Sequence, residues 1–420
     1  MLSEPLETVA SQSCPSCGTR IPAQREYVTW CHECGWNVTV PQQERSLSFV
    51  GRMSSASGRR TGRRLVDELA ERETIRPRLT AARLGAYVVA VLVAVLTVAF
   101  FGLGVVFFLG ARTTLFTIPF GVVFCAIAVL MRPRLGKVPS DGALERQEAP
   151  MLYALLDDVA AALETRRVDV VIVDEAWNAS WAVLGLRRRR VVTLGLPLLA
   201  ALGPQERVAV IAHELAHARN GDSQRGLVVG SALRGLAEFY DVVAPDSGHG
   251  AFDVPSWILW LLSRPIYGAW LLQLLLASRD SQRAEYLADD LAADVAGTQA
   301  AISGQEKLLL GGTVAGVIQK HAQARSRTDL FDDMTLAVHQ VPDRERERRR
   351  RVARLEEARL DDTHPPTALR IELLERRPHR EPRVRLTPEL SGAIDDELRS
   401  RRAVLQRALV EEYRDALYYG

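Results

Sequence analysis

In the stretch VIAHELAHARNGD (residues 210–222), His213 and His217 stand four apart with Glu214 between them. Positions i and i+4 share one helix face, so both imidazoles can meet one ion at about 2.0–2.1 Å. Glu214, one step round the helix, reaches a water on that ion without occupying a ligand position. Such a catalytic cation, zinc being the expected metal, needs a third protein ligand and an open corner, and the same helix face cannot supply that ligand. The stretch SRDSQRAEYLAD (278–289) offers a second helix, with a small-residue stripe at Ala284, Ala288 and Ala292 that permits close packing. Glu285 and Asp289 share a face there; one carboxylate can bind metal while the other accepts the free N–H of a ligand histidine.

Four of the five cysteines make a second constellation. Cys14 and Cys17, then Cys31 and Cys34, form two CxxC knuckles thirteen residues apart, each followed by glycine. Four converging thiolates close a tetrahedral zinc site with no open position, which points to a structural ion in a zinc ribbon over residues 12–40. Cys125 lies alone in an apolar run.

These residues need elements to hold them. Gly203-Pro204 opens a helix and Asn220-Gly221 closes it, so HELAH is helical. Residues 150–163 read as an amphipathic helix, and Val168 to Val173 as a strand. Two further strands, 179–184 and 190–194, flank the turn Gly185-Leu186-Arg187-Arg188-Arg189. The expected fold is mainly α with a small β-sheet. The Arg187–Arg190 run reads as a solvated hairpin tip, and RERERRRRVARLEEAR, within 343–359, as a solvated helix held by i,i+4 pairs.

No charged residue occurs from Leu84 to Ala111 or from Thr113 to Met131. Each run approaches the roughly 20 apolar residues a membrane span needs, so residues 84–131 read as a two-helix transmembrane hairpin. Six arginines between Arg63 and Arg83, and Arg132, Arg134 and Lys137 after the second run, put both flanks in the cytoplasm by the positive-inside rule. The ribbon and the downstream domain then face the cytosol, where thiols stay reduced. The first ten residues, MLSEPLETVA, lack the basic and apolar regions of a signal peptide, so the N-terminus is expected to be retained. Residues 41–64, within a basic linker and juxtamembrane segment at 41–83, read as a solvated tether near lipid headgroups. The stretch Trp257 to Ser278 is uncharged except for Arg264. It must cross an even number of times together with its surroundings, or one ion could not be shared by His217 and Glu285. We expect it to lie at the interface or on the catalytic domain without a full crossing, since Arg234 and Glu238 make a preceding span costly.

HELAH, then SRDSQRAEYLAD, then THPPTALRI (363–371), with Asn178-Ala179 ahead of all three, resemble the HtpX and CAAX prenyl endoprotease family of zinc metallopeptidases. The resemblance covers roughly residues 140–376 and implies a gluzincin-like metallopeptidase domain there, with a C-terminal helical extension at 377–420. It implies His213, His217 and Glu285 as zinc ligands, Glu214 as general base, and Asp289 as partner of a ligand histidine. It also implies that His364 and Arg370 stabilise the transition state, and that Asn178 and Ala179 align an extended substrate. The family's aromatic-then-small order after Asn178-Ala179 is reversed here, as Ser180 and Trp181.

With 53 basic against 51 acidic residues, charge gives no sign of a nucleic-acid partner. The expected protein is a membrane-anchored zinc endopeptidase acting on polypeptides, with a role in membrane-protein quality control by analogy, and with the bilayer and two zinc ions as companions. The competing reading is a zinc-ribbon adaptor whose peptidase fold binds without cutting; an intact HExxH with Glu285, His364 and Arg370 argues against it.

Overall fold

The computed structural model describes residues 10–23, 26–39, 62–72, 75, 80–110, 114–133, 136–244, 254–324, 328–355 and 365–419. Most of the basic linker, Arg112, Arg134 and His364 lie outside the described residues.

The two knuckles belong to a small N-terminal unit. Strands β1 (Ala10–Ser13) and β2 (Arg20–Ala23) pair antiparallel, Ser13 opposite Arg20, and deliver the chain into the first knuckle. Gly18 and Gly35 both adopt φ 73°, the left-handed turn that lets each knuckle fold back; their N–H groups donate to the carbonyls of Cys14 and Cys31.

Helix α1 (Ala81–Gly110) is about 45 Å long and α2 (Ile118–Met131) returns beside it. Phe100, Phe107, Phe120 and Phe124 stack between the two. Outward residues such as Val98, Val106 and Val122 remain exposed, as expected of a surface suited to lipid. Among the described residues, two helices are long and apolar enough to cross a membrane: α1 and the one containing Trp257.

A four-stranded sheet follows, in the order β3 (Ala143–Leu144), β4 (Val170–Asp174), β6 (Arg189–Gly195), β5 (Ala179–Leu184). β4 and β6 are parallel, whereas β5 is an antiparallel edge strand. Helix α3 (Pro150–Ala162) covers one face through Leu152, Leu156 and Val159. The short α4 (Leu196–Ala201) leads into α5 (Pro204–Arg219), which bears HELAH. Pro204 at the start, with the Glu206 carboxylate accepting the Gly203 N–H at 2.6 Å, fixes that start. Val208, Ile211, Ala212, Leu215 and Ala216 are almost fully buried, so α5 is a core helix with no solvated face for its histidines.

Helices α6 (Asp222–Val243) and α7 (Val254–Ala296) form an antiparallel pair against the α1–α2 hairpin. The buried Gln273 Nε2 donates to the Ala86 carbonyl at 3.2 Å and lies 3.5 Å from that of Val229, while Tyr240 meets Tyr267. Residues 257–278 therefore run alongside α1, one of the apolar surfaces of this bundle. Arg264 covers the Trp260 ring at 4.6 Å, an apolar partner that sequence counting does not see.

The remaining helices enclose the core: α8 (Thr298–Leu308), α9 (Gly311–Ala324), α10 (Leu330–His339), α11 (Asp343–Leu355), α12 (Thr367–Arg376), α13 (Pro388–Glu397) and α14 (Arg399–Tyr419). The C-terminal helices are part of this core. Ile394, Leu398 and Leu409 are buried in it, and Glu397 accepts the Met151 and Leu152 N–H groups at the start of α3. Residues 62–70 are also helical, and Val66 and Leu69 bury against Leu287, Leu369 and Leu373, so this end of the linker is docked.

Helix α11 corrects an expectation. Its i,i+4 pairs are present, Glu345 with Arg349 and Glu347 with Arg351, both at 2.8 Å. Yet Glu345 is only 3% exposed, and Arg350 reaches Glu306 and Glu375 at 2.5 and 3.0 Å, so one face is packed. The other face receives the ribbon. Guanidiniums of Arg344 and Arg351 lie 5.0 and 4.9 Å from the centroid of the Trp30 ring, and Arg351 donates to the His32 carbonyl at 2.6 Å. Arginines spaced i and i+7 fall on one stripe, which a reading by charge alone treats as solvated.

Candidate metal centre and active site

His213 and His217 leave α5 on the same side, their rings 5.0 Å apart and perpendicular. Helix α7 packs against this side, and its small residues let it approach: Ala284, Ala288 and Ala292 are all buried. Glu285 projects between the histidines, its Oε2 3.4 Å from His213 Nε2 and its Oε1 3.4 Å from His217 Nε2. A tetrahedral ion with bonds of about 2.0–2.1 Å holds its ligand atoms roughly 3.3–3.4 Å apart. Each histidine meets one Glu285 oxygen at that spacing, and one ligand atom from each of the three residues lies within 4.8 Å of the others, so the set can hold such an ion. In the ribbon, Cys14 and Cys34, and Cys17 and Cys31, stand 3.6 Å apart at sulfur, close to the roughly 3.8 Å that zinc–thiolate bonds of about 2.3 Å imply. Hydrogen bonding with Thr19 pulls the Cys17 thiol down to about 6, toward the thiolate a metal requires.

Asp289, one turn beyond Glu285, is 1% exposed and lies 3.0 Å from His213 Nδ1. An Nδ1–H donated to this carboxylate leaves the Nε2 lone pair facing Glu285, the tautomer needed for ligation. Asp289 also accepts from Arg370 Nε at 2.8 Å and Nη2 at 2.7 Å, a two-pronged ion pair brought in by α12. The same Nη2 is 3.1 and 3.2 Å from the two nitrogens of His213 and 3.8 Å from Glu285.

Burial and the Arg370 charge both disfavour an imidazolium at His213. The hydrogen bonds with Asp289 and Glu285 outweigh them, and in the metal-free chain its pKa is pushed up to about 10. A metal must displace that proton.

Glu214 and Arg370 line a cavity of about 150 Å³ that is bounded also by Asn178, Ala179, Val210 and Leu308. Ala179 begins the edge strand β5, whose outer side offers backbone groups to an extended peptide. Asn178 is held there by its carbonyl, which accepts the Gly195 N–H at 2.9 Å. A Cβ on Gly195 would sit 1.8 Å from the Ala176 carbonyl oxygen and 2.6 Å from that of Asn178, so only glycine permits this approach. Trp181 packs against the core, so the reversed Ser180-Trp181 order places an aromatic inward.

Two groups around the site were not singled out in the sequence. Gln305 on α8 lines the cavity and donates to Asp289 Oδ1 at 3.2 Å. Trp177 Nε1 donates to the Leu308 carbonyl at 3.1 Å and ties the approach to Asn178 onto α8. No motif spacing flags either, because both act across the fold; Gly195 alone left a trace, as a glycine closing a strand.

Comparison with known proteins agrees with this architecture. The family model described as peptidase family M48 matches residues 146–378. This chain belongs to that family and, within it, to the HtpX group. It is similar to three curated proteases. The first, Protease HtpX homolog 2 of Methanosarcina mazei, is 28% identical over 37% of this chain and 54% of its own length. The second, the Protease HtpX homolog of Streptococcus equi subsp. equi, is 27% identical over 54% and 73%. The third, the Protease HtpX homolog of Thermococcus kodakarensis, is 30% identical over 55% and 74%. The chain thus spans about half the length of the first of these relatives and about three quarters of the other two. No solved structure matches it significantly.

Proposed function

We propose that the protein is a membrane-anchored zinc endopeptidase of the HExxH gluzincin type, which cuts flexible polypeptide segments close to the cytoplasmic face of the bilayer. The observation that carries this reading is the meeting of His213, His217 and Glu285, with ligand atoms within 4.8 Å of one another, across some seventy residues of sequence. Zinc held there would lower the pKa of a coordinated water toward about 7 and polarise the scissile carbonyl. Glu214 takes the proton of the attacking water and returns it to the leaving amine. Arg370, with His364, offsets negative charge on the carbonyl oxygen, while Asp289 and Gln305 keep His213 in its ligating tautomer. Asn178 and the outer edge of β5 align the substrate by strand addition. The four ribbon cysteines hold a second, structural zinc.

The membrane part of the reading rests on the α1–α2 hairpin, both of its flanks cytoplasmic, with α6 and α7 packed against it. Helix α7 is continuous from its apolar half into the half that bears Glu285, so the metal centre sits about 10 Å along the helix beyond Ser278. Membrane proteins with loosened cytoplasmic segments are the substrates this placement favours, which is the basis for a quality-control role.

Glu214→Gln tests the chemistry. Purified parent and variant are each expected to carry two zinc ions per chain, with an unfolded protein cleaved by the parent alone. Cleavage by the variant would reject Glu214 as base, and cleavage by neither would support the adaptor reading.

A further inference from the structure

The turn between β5 and β6 combines features that the proteolytic reading does not use. Its tip residue, Leu186, is 89% exposed, and Arg187, Arg188 and Arg189 beside it are exposed. Arg166 adds a fourth cation to the rim of the same open concavity. The acid facing them is Asp169, which is taken by Arg190 in a two-pronged ion pair at 2.6 and 2.8 Å. Arg166, Arg187, Arg188 and Arg189 have no acidic partner among the described residues. Arg188 also holds φ 50°, the left-handed region that favours glycine or asparagine, so a charged side chain stands where a smaller residue would be less strained.

The position of the turn identifies what these cations face. Leu184, the last residue of β5, packs against Gly136, where a Cβ would lie 2.9 Å from its Cδ2. Gly136 follows the end of α2 at Met131 by five residues, a stretch that spans at most about 18 Å. The tip is thus tethered close to the level at which the apolar hairpin ends. A bare leucine flanked by unpaired arginines fits an interface with acyl chains beneath and phosphates around it.

We propose that the β5–β6 turn is a contact site for the headgroups of anionic phospholipids, with Leu186 entering the acyl boundary and Arg166, Arg187, Arg188 and Arg189 meeting the phosphates. The contact holds the edge strand β5 at a fixed height, its Leu184 end toward the bilayer and its Ala179 end at the metal centre. The site rests on the reading of α1 and α2 as membrane spans and is independent of the peptidase chemistry.

The test uses the full chain in lipid nanodiscs, with a fluorescent coumarin side chain installed in place of Leu186 or, as a reference, of Val106 in α1. Quenching by brominated acyl chains is read in discs of phosphatidylcholine alone and of phosphatidylcholine with phosphatidylglycerol. Both probes are expected to be quenched, the one at 186 more strongly with phosphatidylglycerol. The triple variant Arg187→Glu, Arg188→Glu, Arg189→Glu should abolish that lipid dependence and leave Val106 unchanged; each arginine is expected to contribute about fivefold in affinity for the charged surface. Quenching at 106 but not at 186 would overturn the proposal while the spans stand, and quenching at neither would overturn both. Quenching at 186 that is the same with and without phosphatidylglycerol would overturn the headgroup contact, and a triple variant that changes only the cleavage of an acidic protein in detergent would assign the arginines to substrate and also overturn it.

Discussion

Asp289→Asn separates the orientation of a ligand histidine from simple bracing of the fold. Asp289 is buried and engages Arg370 through two bonds, His213 through one and Gln305 through one. Asparagine keeps the shape but loses the charge and one acceptor oxygen, so donors that now converge on a carboxylate face a neutral amide. Breaking a buried ion pair by removing one partner costs about 3–5 kcal/mol, and the metal-free protein should lose stability of that order. Loss of a carboxylate behind a ligand histidine weakens metal binding by roughly 10–100-fold, about 1.4–2.7 kcal/mol. The assay is competition with a graded series of chelators, counting both zinc ions. The catalytic ion should leave earlier in the variant, and the ribbon ion, whose four cysteines make no bond with Asp289 or its partners, serves as the internal standard. Unchanged retention of the catalytic ion together with lost stability would mean that Asp289 only braces Arg370, and the argument from the tautomer would fail.

Other outcomes follow from the same geometry. Arg370→Met should lower kcat by about 10²–10³-fold without weakening zinc binding, because it removes a stabilising donor and a like charge from the cation's surroundings; a rise in KM alone would contradict this role. Gly195→Ala should destabilise the protein by about 1–3 kcal/mol and depress kcat/KM, since the added methyl meets the Ala176 and Asn178 carbonyls; unchanged kinetics would remove Asn178 from substrate alignment. Trp30→Ala should release the ribbon from α11 with its zinc retained, seen as faster amide exchange in α11, and loss of the zinc itself would show that Trp30 serves the ribbon's fold instead. In metal-free protein the raised pKa of His213 stabilises the fold fully below about 6.5, and that contribution is lost as pH rises through about 10. Under chelation the parent should therefore exceed His213→Gln in stability by more at pH 6.5 than at pH 10.

The sequence alone specified what depends on local spacing. Two histidines at i and i+4 share a helix face whatever surrounds them, two CxxC knuckles can close one ion, and a run of uncharged residues advertises its length to a bilayer. The helix from Pro204 to Arg219 and the strands about Gly185 were legible for the same reason, since caps, turns and alternation act within a few residues. Only the tertiary structure decided which of two equally spaced carboxylates enters between the histidines. Glu285 and Asp289 differ by one turn, and the close packing of α7 on α5 settles their places. Packing also turned the arginine-rich α11 from a solvated helix into the seat of the ribbon, and drew Gln305, Trp177 and Gly195 to the cavity from separate parts of the chain. Contacts between residues distant in the chain leave no periodicity, because their geometry is set by the shape of the whole core.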